Sequence, residues 1–123
     1  MVKYKQGTLD GFENGFGTHD YHLYLYKNTT LDPDGQFSDF TEATGTNYSK
    51  KTLLWADATV SWDSVQGKYK AVWPAQTWSN VTSLDADGTM ISNSADTIVY
   101  GAEEKALGSE YTTLTVNPII YLG

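Results

Sequence analysis

Two histidines and two Asp-Gly segments are the parts of this 123-residue chain whose types and spacing could do chemistry. His19 and His22 stand three apart, with Asp20 between them. On a strand, positions three apart face opposite sides, so the pair cannot grip one metal; on a turn it could. The expectation is that both are surface or half-buried aromatic side chains. Asp32-Pro33-Asp34-Gly35 and Asp85-Ala86-Asp87-Gly88 match the opening of calcium loops, where carboxylates two apart suit a hard cation. A full loop of that kind ends on Glu at position twelve, and here the twelfth residues are Ala43 and Asp96. Both segments are therefore read as turns, with a calcium site between loops as the alternative. Nucleophilic catalysis requires a Ser or Cys beside a His and an orienting acid. The chain has no cysteine, no G-x-S-x-G, no Walker loop and no dinucleotide fingerprint. The expectation is a protein that binds and assembles, with no catalytic residue, no metal and no cofactor.

Aromatic residues are the more informative class. They make up 14% of the chain, and Trp55, Trp62, Trp73 and Trp78 fall within 24 residues. Three readings stand: a core, with Trp62 and Trp73 meeting across a hairpin; an oligomer interface rich in Tyr and Trp; or a stacking platform for sugars. Trp55 joins Tyr4, Phe12 and Phe16 as candidate interaction residues. The last three lie in residues 1–20, a Gly-rich segment without sustained periodicity that reads as an extended arm. The arm is expected to dock on its own domain or on a neighbour.

The elements that must position these residues are short strands. Tyr21–Tyr26 alternates, with Tyr21, Leu23 and Leu25 on one face and His22, Tyr24 and Tyr26 on the other. Both faces are apolar, which predicts a central or covered strand. Phe37 and Phe40 fit one helical turn. Residues 51–55 form a candidate strand, and 58–62 pairs with 68–73 across the turn Asp63–Gly67, with Val60 and Trp62 inward. Further strands follow at 75–78, 89–91, 97–100, 111–116 and 119–122. Glu103–Gly108 alone has helix-forming composition. The sequons at Asn28, Asn47 and Asn80 are read as chance. Eight or so short strands with frequent turns predict an all-β domain, an antiparallel β-sandwich or jelly-roll-like barrel over 21–123 with the extended arm at 1–20.

Net charge is −7 and every basic residue is lysine, which argues against nucleic-acid binding. No run approaches the ~20 apolar residues of a membrane span. Residues 1–7 lack the apolar core of a signal peptide, so synthesis in a cytoplasm is expected.

Three runs carry a resemblance: His22-Leu23-Tyr24-Leu25-Tyr26-Lys27-Asn28, Phe40-Thr41-Glu42-Ala43-Thr44-Gly45 and Tyr48-Ser49-Lys50-Lys51-Thr52-Leu53. In this order, followed by the aromatic segments 69–73 and 75–78, they resemble small structural virion proteins of tailed bacteriophages. The likeness spans residues 21–79. It implies a structural or decorating part of a phage particle: a capsid decoration or cement protein, often trimeric, bound to the major capsid protein or to other virion proteins. The alternative is a tail- or neck-associated module that binds a receptor glycan.

Overall fold

The strongest strand organises the molecule. The computed structural model describes residues 2–107 and 113–122, which form twelve strands, one α-helix and three short 3-10 turns. In chain order these are β1 (Val2–Lys3), α1 (Lys5–Asn14), β2 (Tyr21–Lys27), β3 (Thr41–Glu42), β4 (Thr44–Thr46) and β5 (Lys51–Leu53). They continue with β6 (Thr59–Asp63), β7 (Lys68–Val72), β8 (Gln76–Ser79), β9 (Thr82–Asn93), β10 (Val99–Leu107), β11 (Thr113–Val116) and β12 (Ile119–Leu122). The main sheet runs β1-β10-β9-β2-β3, with β5 also on β2 and β4 on β9. Smaller sheets, β12-β7-β6 and β11-β8, pack over it, and all the pairings are antiparallel. The result is an antiparallel sandwich, as the sequence predicts.

β2 buries both its faces, each against a different cluster. Tyr21, Leu23 and Leu25 enter the main core with Leu53, Ala71, Trp73, Trp78, Ile91 and Ile120. Tyr24 and Tyr26 enter a second cluster with Tyr4, Met90, Val99 and Ala102, partly covered by Phe37 and Phe40. Phe37–Asp39 is the expected short turn, closed by reciprocal Gln36 and Asp39 caps.

The N-terminal segment corrects the sequence reading. It is not an extended arm: β1 pairs with β10, and residues 5–14 are helix. Gly7 and Gly11 stand four apart and therefore share one helix face. A Cβ at Gly7 would lie 2.5 Å from Tyr100 Cα, and one at Gly11 would lie 2.0 Å from the Phe16 ring. The glycines let the helix lie against β10 and under Phe16, at a cost of about 1 kcal/mol each in helix propensity. Gly15, at φ +86°, ends the helix.

Two further expectations are overturned. Leu84–Gly88 is not a turn but part of β9, because Leu84 and Ala86 alternate inward while Asp85 faces out. Of the helix expected at 103–108, residues 103–107 are strand and Gly108 lies outside the described residues; pairing with β9 overrides composition. Asn28, Asn47 and Asn80 all sit at positive φ (51°, 63° and 54°), where Asn is among the few tolerated side chains, which accounts for the asparagines on backbone grounds.

Candidate functional site

Each cluster that the sequence nominates for chemistry is satisfied internally. His22 Nδ1 lies 2.8 Å from Asp96 Oδ1, and the buried Ser92 Oγ is 3.2 Å from the same oxygen. Lys50 Nζ is 3.1 Å from Asp96 Oδ2. The carboxylate thus stands between serine and imidazole, so the imidazole cannot take the serine proton as a triad requires. Burial works to raise the Asp96 carboxyl, but hydrogen bonds from His22, Tyr24 and Lys50 outweigh it and hold the group below its ordinary 3.8. Asp96 is at φ +57°. His19 is turned elsewhere: its Nε2 is 3.0 Å from the Tyr100 hydroxyl, which donates to Asp10. The two histidines have separate partners.

The Asp-Gly segments are likewise occupied. Asp32 Oδ1 accepts from Asp34 N–H at 2.9 Å, and Asp34 pairs with Lys5 at 2.7 Å. Asp87 Oδ2 accepts from Asn28 N–H at 2.8 Å. Among the described residues no cluster of His, Cys, Asp or Glu could hold a metal ion.

Of the candidate interaction residues, Tyr4 is not available as an outward anchor. It is 1% exposed, packs on Phe40 at 5.6 Å between ring centroids, and its backbone bonds to Tyr100. Phe16 is half-buried beneath Tyr100 and accepts the Tyr21 hydroxyl at its carbonyl. Phe12 lies in α1, and its side chain is outside the described residues. Trp55 is half-buried, 6.2 Å from both Tyr21 and Trp73.

The four tryptophans divide. Trp73 and Trp78 are core, each donating its indole N–H to a backbone carbonyl: Leu54 at 2.8 Å and Ser49 at 2.6 Å. Trp62 is not buried and does not meet Trp73. It pairs with Tyr69 across the β6–β7 hairpin, 5.1 Å apart and edge to face, and the two are 55% and 54% exposed.

The register explains this exposure. Val60 is opposite Ala71, which is opposite Ile120, and Trp62 is opposite Tyr69. Directly opposed residues share a sheet face. Ala71 and Ile120 are buried, whereas Val60, Trp62 and Tyr69 on the same face are exposed. The hairpin therefore runs past the edge of the core, carrying its inward face into solvent. Its tip is held open by Asp63, whose Oδ1 accepts from Val65 and Gln66 N–H at 2.9 and 3.0 Å. The Gln66 N–H above all, aided by the Val65 N–H and the Lys70 ammonium against a burial effect of opposite sign, holds the Asp63 carboxyl below its ordinary value. Gly67 turns the chain at φ +66°, and Val65 at the tip is 89% exposed. The alternation of β6 names these residues from sequence; it says which face they occupy but not where the core stops.

A second feature had no sequence signal. Tyr24, Tyr26, Phe37, Phe40, Glu42, Met90 and Asp96 line a cleft of about 290 Å³ on the opposite face of the main sheet. Burial foremost pushes the Tyr24 and Tyr26 hydroxyls up to about 12, so both stay neutral near pH 7.

No family model, curated protein or solved structure matches this chain.

Proposed function

We propose that this chain is a non-enzymatic structural protein of a bacteriophage virion, a capsid decoration protein that docks on the shell through the projecting β6–β7 hairpin. The single observation that carries docking at this place is the uncovered face of Val60, Trp62 and Tyr69, continuous with the buried face of Ala71 and Ile120. An apolar sheet face that outruns its own core is suited to burial by a partner. Its Trp and Tyr are the side chains that most often dominate interface energies. The phage assignment itself rests on the resemblance over residues 21–79, whose segments supply β2 to β8. The partner is the major capsid protein or another virion protein, and a homotrimer would match lattice three-folds. The particle, rather than the cytoplasm in which the chain is made, is then its working location.

Co-sedimentation with undecorated shells of the encoding phage tests the proposal. The wild-type chain is expected to saturate the shells at a fixed stoichiometry. A Trp62→Ser, Tyr69→Ser double variant, still folded by circular dichroism, should bind at least ~30-fold more weakly, the loss of one interface hot spot. Failure of the wild-type chain to associate refutes the decoration role, and undiminished binding by the double variant refutes the hairpin as the dock. The same Trp62 would serve a glycan-binding tail module. Sugar-dependent quenching of its fluorescence, without shell binding, would select that reading instead.

A further inference from the structure

The cleft on the far face of the main sheet has a definite chemical character. Two edge-to-face pairs wall it: Tyr24 with Phe37 at 5.8 Å and Tyr26 with Phe40 at 5.3 Å between centroids. Buried Met90 lies beneath, and exposed Glu42 stands at the rim. Aromatic faces carry negative potential and attract cations, most strongly where water is displaced. The chain's own Lys50 already demonstrates this chemistry on one wall, with its ammonium 5.5 Å from the Tyr24 centroid and 3.1 Å from Asp96. That contact matches the charge of Asp96. Glu42 accepts a hydrogen bond from the Tyr48 hydroxyl at 3.0 Å, and among the described residues no cation pairs with it. An aromatic-walled cavity with one carboxylate left unmatched at its rim selects a cation with an apolar skirt. At about 290 Å³ the space suits a headgroup rather than a drug-sized molecule.

We propose that this cleft is a binding site for an alkylammonium group, of the trimethylammonium type, held by Tyr24, Phe37 and Phe40 and neutralised by Glu42. Such a group occurs both in choline-type headgroups and in methylated lysine side chains. Titration of the whole chain, followed by backbone amide NMR, tests the site. The probes are choline, an N-acetylated trimethyllysine methylamide and the neutral isostere 3,3-dimethylbutan-1-ol. The two cations are expected to shift amides of residues 24, 37, 40 and 42 at millimolar concentration, with the isostere at least tenfold weaker. Phe40→Leu and Glu42→Gln, each retaining the wild-type spectrum elsewhere, should each weaken cation binding about three- to tenfold. Tighter binding of choline assigns the site to headgroups, and tighter binding of the lysine derivative assigns it to a peptide. Equal binding of cation and isostere, or no shift at these residues with any probe, overturns the proposal.

Discussion

Replacing Trp73 and Trp62 separately by Ala tests where the core ends. Trp73 is 3% exposed, contacts Tyr21 edge-on at 5.4 Å and donates its indole N–H to Leu54 O at 2.8 Å. Removing it leaves a large cavity and takes one of two hydrogen bonds from the Leu54 carbonyl, which keeps the Asp57 N–H at 3.0 Å; the cost is about 3–5 kcal/mol. Against a total of roughly 5–15 kcal/mol for a domain, that brings Trp73→Ala close to the unfolding threshold. Trp62 is 55% exposed, and its best single contact is the edge-to-face pair with Tyr69. Losing that pair costs about 0.5–1.5 kcal/mol. Urea unfolding followed by far-ultraviolet circular dichroism, which does not depend on the deleted fluorophore, measures both. With a urea slope of about 1–3 kcal/mol/M, the two midpoints should separate by about 0.5–4.5 M. A loss above about 3 kcal/mol in Trp62→Ala that is the same at low and high protein concentration would refute the open hairpin face. A loss that grows with concentration would instead identify a second copy as its cover.

Two further outcomes follow from the structure. Asp96→Asn keeps the side-chain shape and tolerates the positive φ, but removes the charge bound by His22 and Lys50; at pH 7 it should cost about 1–2 kcal/mol by urea unfolding. The folded carboxyl lies below its ordinary value, so this stabilisation is complete above the unfolded value and lost as pH falls through the folded one. The difference between wild type and variant should therefore shrink below about pH 4, and a difference that widens in acid would contradict the assignment. Gly7→Ala should destabilise by about 1–3 kcal/mol despite the better helix former, because its Cβ would meet Tyr100 Cα at 2.5 Å and Val99 O at 2.6 Å. Exposed Glu13→Ala, on the same helix, should stay within about 0.5 kcal/mol as the control, and a stabilised Gly7→Ala would mean that the helix does not touch β10.

Some of this molecule was legible because local pattern and tertiary environment agree. In β2 the alternation of Tyr21, Leu23 and Leu25 against Tyr24 and Tyr26 names both buried clusters. In the hairpin the pairing of 58–62 with 68–73 is legible, although the register sets Trp62 opposite Tyr69 and not against Trp73. Elsewhere the local signal points the wrong way. Gly7 and Gly11 lower helix propensity, yet they are what allow a helix to approach β10; their spacing of four, continued by Gly15, was the available clue. Glu103, Glu104 and Lys105 favour helix in isolation, but pairing with β9 decides otherwise.

The two candidate sites were hidden for different reasons. Alternation assigns Val60 and Trp62 to the apolar face of β6 correctly, since they share it with buried Ala71 and Ile120. What one strand's sequence does not encode is how far the opposing layer extends, because that length belongs to other strands. The cleft is illegible in a stronger sense. Its walls come from β2, from the 37–42 segment, from β9 and from Asp96, and no two of these are read together along the chain. Tyr24 and Phe40 each look like ordinary core aromatics when taken alone. Only the placement of unmatched Glu42 beside them, with Lys50 already paired to Asp96, turns a set of core rings into a surface with a preference for cations.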